Sequence, residues 1–278
     1  MIEQKVLFKQ LDKAEGKLLV QWDKWLQQSV KTIPWKEYER LQRIGGVKAF
    51  AQAPAPITIN SGQLARILSD HAVEIIAAGR AHAKLLTDEL HQQYRKRSLA
   101  DDYPGFDFNY TDDPKVIPEK AIKAMESRSI YLAGDVDGSL LSGVKTIMVK
   151  YLNGSSRPEA EAALEKLLTS NEERSSLITT TETTYSYNRG RLAGFAENSV
   201  DYVRFSAIMD GRTSPICSSR HGLLMKMDDD RISANTPPLH GRCRSVLDPV
   251  YSAYQPELIT DKTLDWNYVA SLPKGWAA

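Results

Sequence analysis

The chain has 278 residues, 42% hydrophobic and 26% charged, enough apolar material for one large domain or two ordinary ones, and this argues against wholesale disorder. Lysine and arginine number 36 against 35 aspartate and glutamate, a formal net charge of +1, so contact with nucleic acid cannot rest on overall charge and needs a local patch. Met1-Ile2-Glu3-Gln4-Lys5 lacks the pattern of a signal peptide and no apolar run is long enough to span a bilayer, so we expect a cytoplasm-like compartment and no membrane. Two cysteines, Cys217 and Cys243, exclude a disulfide scaffold.

From the start to about Leu26, Val6, Leu11, Leu18, Trp22 and Trp25 recur at roughly helical spacing, and Pro34 breaks the pattern. A short helix is predicted over Trp35 to Ile44, ended by Gly45-Gly46, and Gln52 to Pro56 reads as a linker or extended loop. Asn60 or Ser61 is placed to cap the longest helix, Gln63 to about Arg97. Its Leu68, Ala72, Ile75, Gly79, His82 and Leu86 form one seam that requires a partner helix. Asp101 to Pro118 has neither period and reads as a loop. Helices are then predicted from Pro118 to Arg128, from Ser139 to Leu152, from Pro158, and from Asn171 or Ser175 towards Ala196. After Ser199 the texture turns to short strands: Val200 to Met209, Gly222 to Met227 and Cys243 to Val250. The fold class is α+β, a mainly helical N-terminal region followed by a small loop-rich α+β domain.

Three loop elements carry most of the chemistry: Asp210-Gly211-Arg212-Thr213-Ser214-Pro215-Ile216-Cys217, Arg220-His221-Gly222, and Pro237-Pro238-Leu239-His240-Gly241-Arg242-Cys243-Arg244-Ser245. Their order is similar to the signature of the phage Mu F-like minor head proteins, and Thr181-Glu182-Thr183 with Tyr187-Asn188-Arg189-Gly190-Arg191 resembles the helix that precedes it. The resemblance runs from about Ser170 to Val250. It departs from the commoner pattern at Ser214 and Ser245, where many members have cysteine.

The resemblance implies a minor head component of a tailed bacteriophage that acts in head morphogenesis. Its implied location is the capsid interior of the virion, after assembly in the host cytoplasm. Its partners would be the portal protein, a major capsid or scaffold protein, and also the packaged double-stranded DNA. On this reading residues 1–170 form a helical docking region, 171–255 the Mu F-like α+β domain, and 256–278 an extended arm. The arm's Trp266, Tyr268 and Trp276 either fold back or dock on portal or coat protein.

The residues leave several roles open. Cys217 with His221, and His240 with Cys243, have spacings that supply two zinc ligands each; alternatively the cysteines pack as small apolar groups and His240 bonds backbone, with no cofactor at all. We read Asp210, Arg212, Thr213 and Arg244 as a network that fixes the loops. The catalytic alternative makes His240 a general acid or base, with Arg212 and Arg244 stabilising phosphate, as in a head-carried nuclease or a nucleotide-using transferase. Arg189, Arg191 and Arg204 are candidate DNA contacts, unless nearby acids pair with the arginines of this third. Lys84, His91, Arg95, Lys96 and Arg97 form a basic cluster best read as a solvated helix end.

Overall fold

The computed structural model describes residues 4–52, 57–97 and 119–273, with side chains at 11–52, 57–94 and 127–273. Six helices come first: α1 Gln4–Lys31, α2 Trp35–Ile44, α3 Val47–Gln52, α4 Ser61–Arg97, α5 Glu119–Leu152 and α6 Arg157–Glu197. Strand β1 Tyr202–Ser206, helix α7 Pro215–Ser218, strand β2 Leu224–Lys226, helix α8 Arg231–Asn235 and strand β3 Val246–Val250 follow. A 3-10 turn at Pro256–Leu258 and helix α9 Asp261–Leu264 come last. The expected α+β class is what the chain adopts.

Local chemistry accounts for the boundaries. The Asn60 side chain accepts the Gln63 N–H at 3.0 Å and so caps α4, and Gly45 and Gly46 take positive φ where α2 ends. Two expected breaks do not occur. The predicted helices at Ser139 and at Asn171 or Ser175 are interior parts of α5 and α6. The Asn171 side chain donates back to the Leu167 carbonyl at 2.8 Å and Ser175 to the Glu172 carbonyl at 2.8 Å, so both satisfy the helix they sit in instead of starting a new one. The Asp101 to Pro118 loop, Pro54 and Pro56 of the linker, the side chains of Arg95, Lys96 and Arg97, and Trp276 lie outside the described residues.

The chain packs as two compact units, each assembled from separate segments: Gly16–His71 with Lys120–Thr179, and Met1–Glu15 with Ala72–Glu119 and Thr180–Ala278. Residues 1–170 are therefore divided between the two. The first unit is a helical bundle whose core holds Trp22, Trp25, Leu41, Leu64 and Leu140. The Trp25 indole donates to the Asn60 carbonyl at 2.8 Å, and Gln42 bridges the Tyr151 and Ser155 carbonyls at 2.5 and 3.1 Å.

In the second unit α4 finds the partner its seam requires. Gly79 lies against the Tyr187 carbonyl of α6, and Gly190 against the Ile76 carbonyl. At Gly194 an added Cβ would come 2.7 Å from that of Ala83. Small residues four apart on each helix thus bring two backbones into direct contact. Three antiparallel strands in the order β2-β1-β3 complete this unit, with Val203 facing Met225 on one side and Pro249 on the other. Phe195, Val203, Phe205, Met225 and Leu247 are its buried core.

The C-terminal segment folds back in part. Trp266 packs on this core and its indole donates to the Leu224 carbonyl at 2.8 Å, the fold-back alternative for this residue, whereas Tyr268 is 87% exposed.

Candidate functional site

Helix α6 is the platform. Thr181, Thr184, Asn188 and Arg191 follow one another in steps of three, four and three, so they share one face. That face is polar and buried, and each member holds the chain that leads into β3. Thr181 accepts the Arg242 N–H at 3.4 Å, and Thr184 donates to the Cys243 carbonyl at 2.9 Å. The Asn188 amide donates to the Ser245 carbonyl and accepts the Leu247 N–H, both at 3.2 Å. The Arg191 guanidinium meets Asp248 at 3.1 Å. Backbone groups of a loop strand that would otherwise be buried without partners are satisfied by a helix.

On this platform the loops lock each other. Arg244 grips Asp210 in a two-point fork, with nitrogen–oxygen distances of 2.9 and 2.6 Å. That guanidinium, together with the Arg212 backbone N–H at 2.9 Å, holds the Asp210 carboxyl well below the usual carboxylate range. Thr213 accepts the Asp210 N–H at 2.8 Å and donates to the Ile208 carbonyl. Asp210, Thr213 and Arg244 are thus joined by side-chain hydrogen bonds, whereas Arg212 takes part through its backbone and its side chain is exposed.

Next to this fork, Ser214 caps α7 by accepting the Cys217 N–H at 3.2 Å. The left-handed backbone at Arg242, φ 56°, lies between His240 and Cys243, whose side chains meet at one point with Cys217. The Cys217 and Cys243 sulfurs are 3.6 Å apart, and His240 Nε2 lies 3.1 Å from the Cys217 sulfur and 2.9 Å from Ser214 Oγ. The Gly241 carbonyl can only accept, so its 2.8 Å contact fixes the proton on His240 Nδ1 and leaves Nε2 to face the sulfur. The hydrogen bond from Cys243 draws the Cys217 thiol down to about 4, assisted by His240 and by the Ser245 and Ser214 hydroxyls. The same contact pushes Cys243 up, and the Cys217 sulfur raises His240. The two serines that stand at cysteine positions of the resemblance therefore border this cluster.

His221 does not join it. Its Nδ1 accepts the Ala207 N–H at 3.1 Å, so the expected Cys-x3-His pair is not formed in space. The recess beside the cluster, lined by Arg212, Ser214, His240, Arg242 and Arg244 among others, has a free volume of about 20 Å³, room for one water. Arg212, His240 and Arg244 thus border one recess, but His240 and Arg244 are held by protein partners.

The candidate DNA-contacting arginines are distributed differently. Arg191 is 1% exposed and ion-paired to Asp248, so burial withdraws it from any duplex. Arg204 is 38% exposed and shares Asp248 at 3.8 Å, and Arg189 stacks on the Tyr185 ring. In the basic cluster Lys84 pairs with Asp88 at 2.7 Å and His91 is buried against Tyr251. Arg220, singled out in the second loop element but given no role there, is buried and bonds Asn235 at 2.9 Å and the Ile216 and Ala270 carbonyls at 2.9 and 2.8 Å. Sequence patterns missed the 181, 184, 188 and 191 stripe, because periodicity is read from apolar residues.

His82 adds a pH dependence. Its Nδ1 contacts the Tyr187 hydroxyl, and its buried Nε2 has no partner among the described residues. Burial, then the Arg191 charge, lower its pKa from 6.5 to about 4, with Asp248 opposing. As pH falls through that window the unfolded chain takes up a proton that the folded chain refuses, so stability decreases with acidification. Discounted for the site's partial exposure, the loss is roughly 2 kcal/mol. Urea unfolding of the wild type and of His82→Gln across the window should show this slope only in the wild type.

Residues 145–248 match the family model described as Phage Mu protein F like protein, from the last turns of α5 through Asp248 of β3. The match begins upstream of Ser170, where the sequence resemblance was traced. No curated protein matches the chain, and no solved structure does. No helix among the described residues is long and apolar enough to cross a membrane. The stretch that builds the α6 platform and its locked loops, residues 145–248, is thus similar to the Phage Mu protein F like family.

Proposed function

We propose that the protein is a minor head component that acts in head morphogenesis by binding, docking on the portal protein and on the major capsid or scaffold protein inside the assembling head. The observation that carries this reading is the family match over residues 145–248. The geometry agrees with a fixed structural core: Asp210 and Arg244 neutralise each other, and His240 is held by Gly241, Ser214 and Cys217. The recess they border has a free volume of about 20 Å³, room for one water. Exposed Arg212 and Arg242 at its rim supply a local basic patch for the phosphates of packaged double-stranded DNA, a secondary contact.

The test is capture. Tagged full-length chain, co-expressed with the portal, coat and scaffold proteins of the same phage, should retain the portal protein on affinity purification. Retention of none of the three would remove the reading. The phosphoryl-transfer alternative would be favoured instead by nuclease activity that His240→Ala abolishes while the fold is kept.

A further inference from the structure

We propose that Cys217, His240 and Cys243 form a zinc centre with a water as fourth ligand, a structural staple that ties α7 to the loop entering β3. The proposal goes beyond the assembly reading and does not depend on which partner the chain binds.

Three observations carry it. The donor atoms of these residues all lie within 4.8 Å of one another. Zinc–sulfur and zinc–nitrogen bonds of about 2.3 and 2.0 Å require tetrahedral edges of about 3.5 to 3.8 Å. The sulfurs stand 3.6 Å apart and His240 Nε2 3.1 Å from the Cys217 sulfur, so those two edges need to open by no more than a few tenths of an ångström, and the edge from Nε2 to Cys243 lies within 4.8 Å. A disulfide, by contrast, would require the sulfurs to close to about 2.05 Å.

The second observation is the backing of the imidazole. A metal-ligating histidine characteristically donates its other ring N–H to a carbonyl, and His240 Nδ1 does so to Gly241 at 2.8 Å, which aims Nε2 at the sulfurs. The third is that the ligands are anchored from behind. The Cys243 carbonyl accepts from Thr184 of α6, and the Cys217 N–H is held by Ser214. Both cysteines are buried, whereas His240 is half-buried and borders the recess that has room for one water. Ser214 Oγ, 2.9 Å from Nε2, is placed to hold that water on the open side of the ligand set. Two soft thiolates with one imidazole favour zinc over magnesium or calcium. On binding, the protons shared among the two sulfurs and Nε2 leave to solvent and the cation takes their place.

His221 is the internal control, since linear spacing pairs it with Cys217 and the structure places it on Ala207. Full-length protein purified from zinc-supplemented cells under reducing conditions should contain one zinc per chain. His221→Ala should retain it, while Cys217→Ser, His240→Ala and Cys243→Ser should lose it. Because a ligand variant can fail to fold, wild-type protein stripped by a chelator is also titrated with cobalt(II). A saturable sulfur-to-cobalt charge-transfer band at one equivalent, erased by zinc, is the expected result, as is release of both thiols to alkylation only after chelator is added. No cobalt band, thiols equally reactive with and without chelator, or zinc lost from His221→Ala but kept by His240→Ala would each overturn the proposal.

Discussion

Gly190→Ala should destabilise the protein by about 3 kcal/mol or more, the largest effect expected of a single added methyl group. A Cβ at 190 would run into the Ile76 carbonyl of α4, and backbone on both sides of the crossing leaves no flexible side chain to give way. The clash outweighs the gain of about 1 kcal/mol that alanine brings over glycine within a helix. Gly134, inside α5, has nothing within 4 Å of its would-be Cβ, so Gly134→Ala should stabilise by up to about 1 kcal/mol. Chemical denaturation of the two variants measures both signs. A neutral Gly190→Ala would mean that α4 and α6 do not approach as described.

Asp248→Ala should cost about 3 kcal/mol for a different reason. It leaves the Arg191 guanidinium, 1% exposed, without its carboxylate partner in the middle of the second unit, and an unpaired buried charge is far more costly than a missing ion pair. The same guanidinium lies over the Tyr187 and Phe195 rings at 5.6 and 5.4 Å, contacts that hold it in place but do not neutralise it. Arg191→Met in the Asp248→Ala background should recover much of the loss. A double-mutant cycle by denaturant unfolding reads the coupling directly. Coupling near zero would show that Arg191 is solvated by other means. Because Asp248 also opposes the lowering of the His82 pKa, its removal should push the acid-labile window of His82 lower still.

These two sites show which parts of the molecule were legible from sequence. The α4 seam was readable because Leu68, Ala72, Ile75 and Gly79 follow an apolar or small-residue period, and the partner helix it required is α6 in the second unit. The strands were readable from their β-branched and aromatic runs, and each lies within its expected segment. The continuity of α6 was not, because Asn171 and Ser175 are capping residues by type, and only the structure shows their side chains turned back on their own helix. Nor was the assembly of each unit from segments far apart in the sequence, which no local pattern encodes.

The candidate site divides in the same way. The Asp210 and Arg244 pair was expected from the shape of a guanidinium fork, and it forms. The cysteine and histidine spacings suggested two ligand pairs, yet convergence is a property of loops: the left-handed turn at Arg242 lies between His240 and Cys243 as they meet Cys217, and the Ala207 N–H draws His221 away. Arg191 is a candidate DNA contact by residue type, with pairing to a nearby acid as the alternative. Its position on the buried face of α6 gives it to Asp248.

A core held by Thr184, Asn188 and Arg191 behind the loops, and by Asp210 with Arg244 in front, suits a protein that presents a fixed surface to a partner. Its proposed zinc would stiffen the same loops. The most direct measurement of the assembly account is sedimentation of heads made with and without the chain, with the chain traced by a tag. The account predicts that the tagged chain co-sediments with portal-containing heads and that heads made without it are defective. A chain found only in the unassembled fraction, with normal heads formed in its absence, would contradict it.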